Sequence, residues 1–187
     1  LLKAEECELT DLDCLALTVG PGSFTGVRIG LSLIQGITCA LQTSVIPIST
    51  PQLLAQNGYL ATHAHKIIVA QDARNQHIYS EAYQLNRHLI MDSIAALQYI
   101  EPNSLSGVAR EYSCMGDGCS TYHHLLNPSS KVIQTSNDLM PLALYQLTKF
   151  AHQQGKMTSI SQVSACYPEG QHPWKIKNTV NAGDQTR

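Results

Sequence analysis

The chain has 187 residues, 43% of them apolar and only 14% charged, enough for one domain of ordinary size or for two small lobes sharing a core. Twelve Lys and Arg against fourteen Asp and Glu leave a formal charge of −2, which argues against a broad basic face that grips nucleic acid unaided. A subunit of a larger RNA-processing assembly is still compatible with that balance. No stretch approaches the roughly 18 consecutive apolar residues of a membrane span, and we expect no membrane association. The opening, Leu1-Leu2-Lys3-Ala4-Glu5-Glu6, has no signal-peptide pattern and reads as the tail of a helix already under way. We therefore expect the natural protein to begin upstream. Six cysteines, Cys7, Cys14, Cys39, Cys114, Cys119 and Cys166, are widely spread, and so apolar a chain needs no disulfide scaffold. The expectation is free thiols in a cytoplasmic protein.

Strand-like and helix-like pieces alternate along the chain. Leu15 to Val19 is a short apolar run stopped by Gly20-Pro21-Gly22, as for a buried strand ending in a tight turn. A helix follows from about Phe24 or Thr25 to Leu41. Its apolar residues form two rows, Val27, Leu31 and Ile34 in one, and Ile29, Leu33 and Ile37 in the other, which predicts cover on more than one side. Gly26 and Gly30 lie one turn apart on that helix and would let another backbone come close. Val45 to Ile48 is the next strand, with Pro47 excluding a central place in a sheet. Thr50 as N-cap and Pro51 as first helical residue open a helix to about Leu60.

Lys66 to Ala70 reads as a buried strand, Asp72 to Asn75 as a turn, and Gln76 to Leu85 as the returning arm of a hairpin. Tyr79, Glu81, Tyr83 and Leu85 then share one face, and Ile78, Ser80, Ala82 and Gln84 the other. Ile90 to Ile100 is expected to be a short helix and Glu101 to Gly107 a loop. Tyr112 to Met115 is a strand ending at Gly116-Asp117-Gly118, with a short helix to about Leu126 and a strand over Lys131 to Gln134. A last helix runs from about Asp138 to Gln153, carrying Leu139, Leu142, Leu147 and Phe150, with Pro141 tolerated in its first turn. Beyond Met157 the chain is polar and loop-rich. This alternation indicates an α/β protein with short strands.

The segment Gly20-Pro21-Gly22-Ser23-Phe24-Thr25-Gly26 is the sharpest feature. A glycine turn feeding a helix fits an anion site built from backbone N–H groups, and equally a tight turn that lets the helix pack closely. It is neither a Walker A loop nor a dinucleotide fingerprint. Arg28 lies one turn further along. Asp72-Ala73-Arg74 falls at the hairpin turn, where an Asp caps local N–H groups. Gly116-Asp117-Gly118 follows a strand, a place where α/β folds bind phosphate or simply turn. The eight histidines and the Cys114/Cys119 pair match no metal spacing. Ser23 does not sit in a Gly-x-Ser-x-Gly elbow. We therefore assign no catalytic, cofactor or metal residues.

The run Leu17-Thr18-Val19-Gly20-Pro21-Gly22-Ser23-Phe24-Thr25-Gly26-Val27-Arg28-Ile29-Gly30 closely resembles the TsaB (YeaZ) family of tRNA threonylcarbamoyladenosine biosynthesis proteins. Asp11-Leu12-Asp13 before the first strand, Asp72-Ala73-Arg74 with Tyr79, Gly116-Asp117-Gly118 with Tyr122, and Asp138 through Leu144 resemble family segments in the same order. Tyr167 and Trp174-Lys175 resemble a divergent form of its C-terminal segment, with Pro168-Glu169 in place of Leu-Arg. The resemblance is weak over residues 86–111. It implies an actin-like, Hsp70-like ATPase fold of two ribonuclease H-like lobes, the first incomplete here. Expected units are 1–62, 63–155, and a C-terminal segment, 156–187, packing back on the first.

The resemblance implies a non-catalytic scaffold or activating subunit of the complex that forms N6-threonylcarbamoyladenosine at position 37 of tRNAs reading codons starting with A. Implied partners are a TsaD-like catalytic subunit and a TsaE-like ATPase, with tRNA met only through the complex and a homodimer when alone. The implied partner interface is the glycine-bearing helix, through Gly26, Val27, Gly30, Leu31, Leu33, Ile34 and Ile37. The alternative is a nucleotide- or phosphate-binding enzyme of the same fold using the Gly20–Gly26 loop and the Gly116–Gly118 turn. A peptidase is a weaker third reading, since no protease site can be assembled from these residues.

Overall fold

A computed structural model of the chain describes residues 5–106, 112–125 and 131–168. Two sheets organise it. In the first, β1 (Cys14–Thr18) pairs in parallel with β2 (Ser44–Ile48), Leu17 opposite Pro47, and the crossover between them is α1 (Phe24–Leu41). Pro47 is exposed, and β2 lies at an edge as expected from a residue that lacks a ladder donor. Leu17, Val19 and Val45 form the small core of this sheet, with Leu31 and Ile34 of α1 packed on it.

In the second sheet, β3 (Lys66–Asp72) and β4 (Ile78–Leu85) form the antiparallel hairpin, while β7 (Ser113–Met115) and β8 (Val132–Ile133) add in parallel on the other side of β3. The alternation read along β4 holds on both faces. Tyr83 joins Ile67, Val69 and Met115 on the side of α2 (Thr50–Thr62), and Ile78 joins Ile68, Ala70 and Cys114 on the other. Both faces of the hairpin are therefore covered around Ile67 to Ala70, which explains why that part of β3 is apolar without alternation.

The short helix expected over Ile90 to Ile100 does not form. Two strands take its place, β5 (Met91–Ser93) and β6 (Gln98–Ile100), both antiparallel to β4. Tyr83 pairs with Ser93 but Tyr79 with Tyr99, so the register slips by two residues where Ala95 to Leu97 loop out. The open edge of β4 decides the matter, because pairing there satisfies backbone groups that a local helix would leave unmatched. Residues expected as loop after it form a 3-10 turn over Pro102–Leu105.

Helix α2 starts one residue earlier than its sequence suggests. Ser49 is the N-cap, its Oγ accepting from Gln52 N at 3.2 Å, and Thr50 and Pro51 are already helical. Two buried polar side chains on α2 bind distant backbone. Gln56 accepts from Met91 N at 2.9 Å and donates to Leu89 O at 3.0 Å, and Asn57 exchanges two bonds with the backbone of Ser136. Helix α4 (Met140–Gln153) lays Ala143, Leu147 and Ala151 against Ile46, Ile48 and Leu53, joining β2 and α2 in one apolar interior. Pro141 lies in its first turn, where its missing N–H is harmless. Leu142 of the same helix is exposed.

The C-terminal segment returns to the first sheet. Val45 and Thr158 exchange both backbone bonds, at 2.8 and 2.9 Å, and Cys166 N donates to Val19 O at 2.7 Å. Ile160 and Val163 pack on the Leu17–Val19–Val45 core. The opening residues, Trp174-Lys175, Glu169 and the end of the helix expected near Leu126 lie outside the described residues.

Six free thiols were expected, and here the structure differs. Cys114 in β7 is joined by a disulfide to Cys119 of α3 (Asp117–Thr121), while Cys7, Cys14, Cys39 and Cys166 are free. The glycine turn between the pair folds α3 back onto β7, bringing the two buried sulfurs together. Five-residue spacing alone does not reveal that.

Candidate functional site

The glycine-rich loop, the hairpin turn and the Gly116–Gly118 turn converge on a single cleft between the two sheets. It encloses about 590 Å³ and is lined by Gly22 to Thr25, Gln71 to Asn75, Tyr79, Asp117 and Tyr167. Each contribution has a local cause. Gly20 carries φ of +96°, open to glycine at little cost, and precedes a cis peptide bond to Pro21. Its carbonyl accepts from Thr50 N at 2.9 Å. The next two carbonyls are engaged as well, Pro21 O by Gln71 Nε2 at 3.4 Å and Gly22 O by the Tyr167 hydroxyl at 3.3 Å. Ser23 then caps α1, its Oγ accepting from Gly26 N at 3.3 Å. The loop is a splice between β1, α2, the hairpin and the C-terminal segment, and it turns carbonyls toward its neighbours.

The opposite wall is the turn of the β3–β4 hairpin. Asp72 Oδ1 accepts from Arg74 N at 2.9 Å and from the Tyr122 hydroxyl at 3.2 Å. Asp117 Oδ1 accepts from Asp72 N at 2.9 Å, tying the hairpin to α3. Arg74, Asn75 and Gln76 all adopt left-handed backbone, φ 68°, 51° and 59°, which three successive non-glycine residues do only under constraint. Arg74 reaches Asp72 at 4.0 Å but is 85% exposed, so that ion pair is weak. The Asp72-Ala73-Arg74 motif thus shapes the turn and places carboxylates at the rim of the cleft.

Tyrosines fill the floor. Tyr79 lies 5.6 Å from Tyr99 and 6.2 Å from Tyr167, ring centre to ring centre. Burial, with the neighbouring Tyr167 and Tyr99, raises the Tyr79 pKa above the usual phenol value. Burial together with Glu81 pushes the Cys166 thiol up as well, which keeps it protonated rather than nucleophilic. Among the described residues no three His, Cys, Asp or Glu side chains are grouped to hold a metal ion. Sequence reasoning singled out the Gly, Asp and Arg positions but missed Gln71 as a cleft residue. Its signal was available, because Gln71 is the one polar residue in an otherwise apolar stretch, Ile67 to Gln71.

A second surface lies on α1. Arg28 stacks over the Phe24 ring at 3.7 Å and, with Thr25, Ile29 and Ser32, lines a shallow depression. The two apolar rows have separate fates. Leu31 and Ile34, expected at a partner interface, are taken up by the protein's own first sheet, with Val27 beside the Gly20 turn and Ile37 half-buried. Ile29 and Leu33 of the other row are 64% and 62% exposed, so the described residues cover one side of the helix only. Among the described residues, a Cβ on Gly30 would meet nothing within 4 Å, and one on Gly26 would touch only Ser23. At 18 residues α1 is also long and apolar enough to cross a membrane by length and composition, contrary to the expectation from its interrupted apolar runs. Its inward row packs on strands, as in a helix that covers a sheet.

The sequence matches, over residues 1–154, the family described as TsaD: tRNA N6-adenosine threonylcarbamoyltransferase. Among curated proteins it is 26% identical over 181 residues to the tRNA threonylcarbamoyladenosine biosynthesis protein TsaB of Escherichia coli, covering 94% of this chain and 78% of that protein. The TsaB protein of Haemophilus influenzae is 27% identical over 180 residues, covering 89% and 74%. Among solved structures, YeaZ from Pseudomonas aeruginosa superposes with a TM-score of 0.77 at 27% identity, over 90% of this chain and 80% of that one. The chain therefore belongs to the TsaD family of actin-like α/β proteins, and within it to the TsaB (YeaZ) group.

Proposed function

We propose that the protein acts in forming N6-threonylcarbamoyladenosine at position 37 of tRNAs reading codons that start with A, as a non-catalytic scaffold or activating subunit. Its partners on this reading are a TsaD-like catalytic subunit and a TsaE-like ATPase, with tRNA bound only through the assembly and the cytoplasm as its compartment. Relatives named as tRNA threonylcarbamoyladenosine biosynthesis proteins, of which the chain covers 78% and 74%, support the pathway. The observation that carries the subunit role is α1. An 18-residue helix leaves Ile29 and Leu33 facing outward beside the Phe24–Arg28 stack, a surface that a folded monomer has no reason to keep apolar. The cleft carboxylates support the same role, because Asp72 and Asp117 are engaged in holding the hairpin and α3 together.

On this reading the exposed row of α1 and the Gly26/Gly30 step meet either a second copy or the catalytic subunit, so the two complexes exclude each other. Light scattering coupled to size-exclusion chromatography tests it on the protein alone and mixed with a TsaD-like protein from the same genome. A homodimer that converts to a 1:1 heterodimer, with both lost in Leu33→Glu, is the expected outcome. Unchanged association in Leu33→Glu places the interface elsewhere. No association in either mixture removes the subunit role.

A further inference from the structure

Gln71 on β3 and Tyr79 on β4 are register partners, so their side chains rise side by side from one face of the hairpin into the cleft. Tyr79 is only 4% exposed, and both its hydroxyl and Gln71 Oε1 are buried without a hydrogen-bond partner among the described residues. The Gln71 amide nitrogen is engaged with the Pro21 carbonyl, which leaves Oε1 as the vacant acceptor. Burial holds Tyr79 protonated, so its hydroxyl is a donor. Adjacent buried groups, one donor and one acceptor, are costly to leave unmade. They line a space of about 590 Å³, the size of a small-ligand or peptide site.

The rim sets the charge of what fits. Asp72 and Asp117 face Arg74 alone among the charged residues lining the cleft, a balance of −1. Arg74 is largely in solvent, and Asp117 has no cationic partner among the described residues. The Gly20–Gly22 loop offers no compensating cradle, since its carbonyls are what it directs to its neighbours. At the Asp72–Asp117 rim a cation is therefore favoured, across the cleft from Ser23 to Thr25 at the N-terminus of α1.

We propose that the cleft binds a lysine- or arginine-bearing peptide segment, with one backbone amide edge on the Gln71–Tyr79 pair and the cationic side chain at Asp72 and Asp117. The Tyr79 hydroxyl donates to the peptide carbonyl, and the peptide N–H donates to Gln71 Oε1. Tyr167, held by the Gly22 carbonyl, bounds the same space, so the C-terminal segment helps to form the site. This inference is independent of the role of α1.

The test is a titration of the full chain with N-acetyl-lysine methylamide, followed by 1H–15N NMR. The expected result is saturable shifts at the Gln71 side-chain amide and the hairpin turn, with N-acetyl-glutamate methylamide producing none. Tyr79→Phe weakens binding at least tenfold while its unliganded melting temperature stays level or rises, because an unmade hydroxyl has been removed. Asp117→Asn retains an oxygen for the Asp72 N–H and weakens the lysine probe several-fold. Absence of saturable shifts overturns the proposal, as does unaltered affinity in both variants. Tighter binding of MgATP than of the lysine probe would reassign the cleft to anions. A lowered melting temperature of unliganded Tyr79→Phe would mean that the pair holds a structural water instead, and equally overturns it.

Discussion

Gly116 and Ala70 approach so closely that a Cβ on the glycine would lie 2.3 Å from the Ala70 carbonyl oxygen. The same glycine carries φ of +111°, and Gly118 beside it would place a Cβ 2.9 Å from that oxygen. The turn is thus pressed against β3 by backbone contact. Gly116→Ala combines a backbone clash with an unfavourable φ, and we expect a loss of about 2–4 kcal/mol. Urea denaturation monitored by circular dichroism reads it. A loss below about 0.5 kcal/mol would show that the turn has room to move.

At the start of α2, the cap is Ser49 and not Thr50. Ser49→Ala is expected to lower stability by about 1 kcal/mol, and Thr50→Ala to leave it nearly unchanged. The reverse order in matched denaturation curves would restore Thr50 as the cap.

Gly30 lies in the interior of a long helix, and a Cβ there would meet nothing within 4 Å among the described residues. Gly30→Ala is therefore expected to stabilise the isolated protein by about 0.5–1 kcal/mol through helix propensity. Gly30→Leu should fold as well and yet weaken pairing with a TsaD-like subunit by about 1–3 kcal/mol if that surface packs closely. Thermal melts paired with a binding titration separate the two effects, and unaltered pairing by Gly30→Leu removes this face from the interface.

Tyr83 is almost fully buried, and burial with Glu81 nearby pushes its pKa far above the ordinary phenol value. The unfolded chain releases that proton near pH 10 while the folded chain retains it. Folding stability from this group is therefore complete below about pH 10 and declines above it, by at most about 1.4 kcal/mol per pH unit. Denaturation midpoints measured between pH 9 and 11 should fall, and fall less steeply in Tyr83→Phe. Equal slopes in both proteins would show that other groups dominate.

The disulfide makes a count testable. Of six cysteines, four should react with a thiol reagent in the unfolded, unreduced protein and six after reduction. Closing so short a loop stabilises by about 2 kcal/mol in the chain-entropy picture, and reduction should lower the urea midpoint accordingly. Six reactive thiols before reduction would mean that the bond is not made.

Much of this arrangement could be read from residue order. The apolar runs over Leu15 to Val19 and Lys66 to Ala70, the alternation from Ile78 to Leu85, and Pro47 at an edge each follow from a local period or a missing donor. What escaped was decided at a distance. Residues 91–100 become strands only because β4 has an unpaired edge, and nothing in their own pattern records that. The cleft was half legible. Glycines and the Asp-Ala-Arg turn stand out in any reading, whereas Gln71 and Tyr79 acquire meaning only when the hairpin register sets them opposite one another. The two rows of α1 were visible as a pattern, but which row the chain would claim for itself depends on where β1 and β2 lie beneath it.

The return of Thr158 and Cys166 to Val45 and Val19 has a consequence for synthesis. Chain growth is vectorial, and the edge of β2 emerges from the ribosome more than a hundred residues before the segment that will close it. Throughout that interval the nascent protein presents an open strand edge and the apolar row of α1 together, the combination that holdase chaperones recognise. Translation speed between β2 and Thr158 is then a determinant of yield, and a rare-codon stretch placed just before Thr158 should increase aggregation without altering a single residue.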